Sequence, residues 1–378
     1  MKKSFLFLTF LLCANFMFSL TWKYVDSSNT LYIVGNENMP DYDSFANTPW
    51  HEIQKDVVAV EIADGIESVG NNAFSGCYNL KSVDLPRGIR KIGKKAFYKC
   101  EKLSSIKIPA STERIEEQAF DSCYNLKTIV IPGNVQTIGD RSFVGCYNLK
   151  EVTIDSGVQK IGDYAFCGTS ISSIYIPSSV RLIEKRAFDG CYSLSSVTIG
   201  SGVTKIGDYA FGGTPLTSVF IPGNVQIIGK CAFIDCVELT SVRIDSGVRI
   251  IGDEAFSGDV NLKTVRFGDG LEQIGEKAFA GCKKITSLII PNSVISIGNG
   301  AFKWCTDISS VVIGNGLERI GAEAFKWCSN LESLVLGSGV KHIENRAFAI
   351  CPKLKSVRLP YSIETIGRGA FSVFCKKL

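Results

Sequence analysis

Ten of the fourteen cysteines recur three residues after a phenylalanine, at Cys77, Cys100, Cys123, Cys146, Cys191, Cys236, Cys282, Cys305, Cys328 and Cys351. Thiols in such a row have three chemical uses: pairing as disulfides, binding a metal as thiolates, or filling a core as small apolar groups. A nucleophilic or metal-binding row needs partners. His51 and His342 are the only histidines, so a histidine-based triad or a histidine-rich zinc site lacks its parts. Acidic residues are spread through the chain as solvated positions, and no pair stands apart as acid and base. A catalytic thiol must be activated and partly exposed, whereas a repeated apolar context predicts burial. The expectation is therefore no enzyme, no cofactor and no metal, with most of these thiols reduced and some disulfides as the alternative. Complete pairing is excluded. Asp259 and Phe374 interrupt the row, and removal of a leader containing Cys13 leaves an odd number.

What spaces the cysteines is a repeat, written most fully as VxxIGxxAFxxCxxLxSVxIP. Its pivot phenylalanine occurs fourteen times, at Phe74, Phe97, Phe120, Phe143, Phe166, Phe188, Phe211, Phe233, Phe256, Phe279, Phe302, Phe325, Phe348 and Phe371. Eleven of the thirteen intervals are 23 residues; those ending at Phe188 and Phe233 are 22. So strict a period means stacked supersecondary units, a solenoid. Within a unit, Ser241-Val242-Arg243-Ile244 alternates polar and apolar residues, the mark of a half-buried strand. Ile251, Ala255 and Phe256 have helical spacing over too few residues for a free helix, which predicts one helical or 3-10 turn. A glycine column (Gly70, Gly93, Gly139 and onward) becomes Glu116, Glu184 and Glu344. Glutamate suits a helix N-terminus, and the column is read as marking one. Rungs at about 4.8 Å would stack to roughly 65 Å.

The unit resembles the Treponema-type, or BspA-like, leucine-rich repeats of bacterial and protozoan surface proteins, over about residues 56–378, with the IGxxAFxxC core nearly verbatim. The stretch from Trp22 through Leu31-Tyr32-Ile33-Val34-Gly35 to Pro49-Trp50 resembles the cap ahead of such repeats. The expected fold is thus an α/β repeat: a leucine-rich-repeat solenoid of about 13–14 rungs of 22–23 residues. Parallel strands line one face, short helical or 3-10 turns the other, and a β-hairpin-like amino-terminal cap precedes them. The expected division is a signal peptide over 1–19, the cap over 20–55 and the solenoid over 56–378. The resemblance implies a secreted or cell-surface protein that binds host, matrix or cell-surface protein in the manner of an adhesin. A structural or self-assembling coat component is the alternative, and a hydrolase a distant third.

The ends and the charge fit export. Lys2 and Lys3 precede a run from Phe5 to Phe18 that is apolar apart from Thr9, Cys13 and Asn15, the layout of a secretory leader. The run is shorter than the about 20 residues of a membrane span, so no membrane insertion of the mature chain is expected. Leu12 is too large for a lipoprotein site at Cys13, and the lysines of Cys375-Lys376-Lys377-Leu378 spoil a prenylation box. A net charge of +4 spread among the repeats gives no basic tail for nucleic acid. The sequence stops at Leu378 just after its last turn, and end-to-end self-association through an uncapped rung is one expected consequence.

A protein ligand would be met by residues the repeat leaves free. One outward strand position is nearly always hydroxylated, from Ser82 to Ser356, which reads as a ladder serving the architecture. The other varies. Its Arg243 and Arg266 are followed by Ile289, Val312 and Val335 on three successive rungs and then by Arg358. This predicts an apolar strip flanked by guanidinium groups, and β-propensity alone is the competing explanation. Tyr175 and Phe220 form a second, weaker patch.

Overall fold

The computed structural model describes residues 19–372. Residues 1–18 of the expected leader, Phe374 and the last four residues lie outside the described residues. Two families of parallel strands run along one axis. The long strands span three or four residues each, from Ala59–Ile62 to Ser333–Val335. They alternate exposed and buried side chains, as Ser173–Ile176 shows, because a strand points successive side chains to opposite faces. The second family has two residues per strand. Fourteen of these, from Ser68–Val69 to Thr365–Ile366, pair into one unbroken parallel sheet. A two-residue strand leaves no alternation to read, so the sequence shows only its buried members, such as Ile92, Ile161 and Ile274.

The helical or 3-10 turns predicted for the opposite face do not form. The only helical segments among the described residues are the 3-10 turns Phe45–Asn47 and His51–Ile53, both ahead of the repeats. Each return instead crosses the rung with positive φ on both sides of its pivot. Two residues before it come Lys95 at 56°, Arg141 at 56° and Glu254 at 56°; two residues after it come Lys99 at 57°, Gly145 at 71° and Trp304 at 63°. This backbone sends the N–H of the pivot and of both flanking residues toward the next rung. Lys95, Phe97 and Lys99 donate to the carbonyls of Glu117, Ala119 and Asp121 at 3.0, 2.8 and 2.8 Å. A local αR helix would keep those donors within the rung. The glycine column has ordinary φ but heads no helix. A Cβ on Gly252 would come 2.7 Å from the carbonyl carbon of Gly229, so the residue permits close stacking of backbones.

Inside, thirteen successive phenylalanine pairs stack at 5.1–5.5 Å with ring planes within 2–16°. At the amino end Thr21–Val25 and Thr30–Val34 pair antiparallel, and Thr30–Val34 then pairs parallel with Ala59–Ile62. Trp50 takes the place of a pivot: its buried ring stacks on Phe74 at 5.7 Å and 19°. Three donors of this segment meet the three first-rung carbonyls that face the amino end. They are Tyr42 N to Asn71 O at 3.1 Å, Trp50 Nε1 to Ala73 O at 2.8 Å and Gln54 Nε2 to Ser75 O at 2.8 Å. Buried carbonyls must find donors, and these do. The signal in the sequence is spacing, since Trp50 precedes Phe74 by 24 residues, one more than the period.

The long strands are less regular than the repeat predicts. They divide into five sheets, the first of which includes the hairpin. Breaks between Glu151–Ile154 and Ser173–Ile176, and between Ser196–Ile199 and Ser218–Ile221, fall on the two rungs that are one residue short. Residues 105–108 and 356–359 form no strand.

Candidate functional site

The thiol row is a set of hydrogen-bond donors inside the core. Nine of the thiols donate to the pivot carbonyl one rung earlier at 3.1–3.4 Å, for example Cys100 Sγ to Phe74 O and Cys282 Sγ to Phe256 O. At two gaps in the row, Thr169 and Thr214 donate instead to the pivot carbonyls of their own rungs, Phe166 O and Phe211 O, at 2.8 Å. The row is thus kept for donors as well as for size, which the apolar reading of cysteine missed. Burial pushes these thiols up, Cys191 to about 12, because the thiolate has no solvation there. The described cysteines other than Cys351 are free thiols. Among the described residues no three histidine, cysteine or acidic side chains gather as metal ligands. Nucleophilic chemistry has no foothold in this row.

Asp259 is the exception in the row. It is fully buried, its Oδ1 accepts from Cys236 N at 2.8 Å, and its Oδ2 has no partner. Desolvation raises its carboxyl well above the usual range, because burial disfavours the charged form.

Three of the residues predicted for binding come together on the long-strand face. Register pairs Ile289 with Val312 and Val312 with Val335 across three neighbouring strands of one sheet. Their side chains are 71%, 39% and 52% exposed, so three adjacent apolar groups face water. Phe220, Arg243 and Arg266 pair in the same way one sheet earlier. The Arg243 guanidinium lies 5.1 Å from the centre of the Phe220 ring, a cation–π contact that the sequence reading did not foresee. It makes Phe220 part of the arginine group and separates it from Tyr175, which is exposed beside Thr198 in another sheet. Arg358 is exposed but lies in the segment without a strand, so it does not flank Val335 in register. The hydroxyl bonds along this face run one residue ahead of the expected ladder, as in Thr240 Oγ1 to Thr217 O at 2.9 Å and Ser309 Oγ to Thr286 O at 3.1 Å.

No helix among the described residues is long and apolar enough to cross a membrane. None of the curated proteins matches the chain. Among solved structures, a leucine-rich repeat protein from Bacteroides ovatus is 25% identical, with a TM-score of 0.61 over 84% of this chain and 94% of that one. A leucine-rich cell surface protein from Faecalibacterium prausnitzii is 26% identical, covers 84% of this chain and 93% of that one, and has a TM-score of 0.49. The BspA type leucine rich repeat region matches over residues 53–170, 159–286 and 272–378. That covers nearly all the stacked rungs, and with the same solenoid in a solved relative it shows that this chain belongs to the BspA-type leucine-rich repeat family.

Proposed function

We propose that the chain is a non-enzymatic, adhesin-like binding protein displayed or released outside the cell, which recognises a protein ligand through the exposed face of its long strands. The observation that carries this is the register of Ile289, Val312 and Val335, which sets three exposed apolar side chains side by side beyond the arginines of the preceding sheet. Apolar contact at the centre and charge at the rim is the usual anatomy of a protein interface. Family membership agrees with it.

The test is a panel of immobilised matrix and cell-surface proteins probed with the wild-type chain and with Val312→Asp. A carboxylate at the centre of an apolar contact loses hydration without gaining a partner. Saturable binding of one protein by the wild type, lost in the variant, supports the reading. Equal binding by both moves the site away from this strip.

A further inference from the structure

On the return side, far from the long strands in every rung, the left-handed position two residues before the pivot carries Lys277, then Gly300, Glu323 and Arg346. Most rungs hold a long side chain there. At Gly300 none exists, and a shallow cleft of about 420 Å³ opens over the gap, reaching from Lys277 to Arg368 across five rungs. By the strand spacing this is about 19 Å along the axis.

The chemistry of the walls is mixed in a specific way. Lys303 and Lys326 hold Glu323 between them at 2.7 and 2.8 Å, and Arg346 lies 3.8 Å from it. Their hydrogen bonds keep the Glu323 carboxyl down at about 2, so it stays charged and anchors the lysines. Four cations of the lining (Lys277, Lys303, Arg346 and Arg368) face two carboxylates (Glu276 and Glu323), which leaves a local excess of two positive charges. Asn299 and Asn345 use Oδ1 to accept from Ala322 N at 2.9 Å and Arg368 N at 2.7 Å. Their Nδ2 groups remain as neutral donors.

Two tryptophans on successive rungs lie outside the cleft's own lining, and the first of them adjoins it through Lys303. Trp304 and Trp327, 46% and 42% exposed, sit two residues after their pivots at φ 63° and 69°. Most rungs place glycine, serine or another small or polar residue there. The Lys303 ammonium, which lines the cleft, lies 4.4 Å from the centre of the Trp304 ring. Cations for anionic groups, amides for hydroxyls and exposed aromatic planes for C–H faces together describe one kind of ligand.

We propose that this cleft binds an acidic polysaccharide laid along the solenoid axis, at a site distinct from the protein-binding strip. An acidic peptide offers no pyranose faces to the tryptophans, and the near-neutral chain as a whole lacks the field that draws nucleic acid.

The experiment titrates the full chain by calorimetry and tryptophan fluorescence with oligosaccharides of hyaluronan, which is carboxylated, and of heparin, which is also sulfated. Dextran and polyglutamate are the neutral and peptidic controls. Gly300→Gln fills the gap with a residue that the same position already accepts at Gln118, and Trp304→Ser/Trp327→Ser uses the residue found at Ser122. Both variants are checked for wild-type melting. The expected result is saturable binding of at least one acidic oligosaccharide and none of dextran, weakened about tenfold in each variant. The fluorescence response should be lost in the tryptophan variant. Which of the two sugars binds tells carboxylate from sulfate recognition. Failure of both to bind, equal binding of polyglutamate, or unchanged affinity in both folded variants overturns the proposal.

Discussion

The return side holds its phenylalanine column without a break from Phe74 to Phe371, whereas the long strands of the same rungs divide into five sheets and leave two segments unpaired. The two regions share one period and differ in what each side chain touches. A pivot ring is packed from above and below, so every rung constrains its neighbours. An outward strand residue is packed at most from the side, and a shortened rung can slip out of the ladder at small cost. Regularity in this solenoid is therefore set by the column and by the unbroken sheet of two-residue strands beside it, and variability is released onto the exposed strand face.

The sharpest way to break that comparison is to empty one place in the column. Phe256 stacks on Phe233 and Phe279 at 5.1 Å on both sides and is fully buried. Phe256→Ala should cost about 3–5 kcal/mol in chemical denaturation, because the cavity borders two rungs and cannot collapse. A loss no larger than that of a surface change would mean the column is not what holds the stack.

A smaller effect is expected at Asp259. Its folded-state carboxyl lies above its unfolded value of about 3.9, so the proton it holds stabilises the fold below that pH, and the contribution is lost as pH rises through the folded value. Asp259→Cys restores the thiol donor, and at pH 7 it should add about 1–3 kcal/mol, the usual penalty of an unsatisfied buried polar group. The advantage should shrink as the pH is lowered toward 4. A gap independent of pH would show that the carboxyl does not titrate on folding.

Under native conditions an alkylating reagent should modify Cys167 first, since it is half-buried while the cysteines of the row are closed off. Mass counting reads this directly. Labelling of several row cysteines before denaturant is added would contradict their place as internal donors. The smallest change in stability belongs to Val312→Asp, within about 0.5 kcal/mol for an exposed position. That near-neutral result, set beside the loss at Phe256, is the contrast between the two regions expressed in one measurement.

Much of this was legible in the residues. The Phe period gave the stack, the alternation of Ser241-Val242-Arg243-Ile244 gave the strand, and the row of outward residues led to Ile289, Val312 and Val335. The helical turn was misread because Ile251, Ala255 and Phe256 have helical spacing, yet their spacing serves a rung whose N–H groups bond to the next one. Arg358 was misplaced because a repeat alignment assumes that every rung keeps its strand. The cleft at Gly300 escaped notice because a glycine in a column of long side chains looks like ordinary substitution until the neighbours on either side are in place.

The sequence by itself determined the solenoid, its number of rungs and the burial of one phenylalanine and one small residue per rung, since periodic apolar side chains have no other way to leave water. Only the tertiary structure decided how the backbone crosses each rung, which carbonyls the thiols of the row donate to, and which surface residues become neighbours. Those outcomes depend on hydrogen bonds and contacts between residues about 23 positions apart, which no local pattern along the chain records.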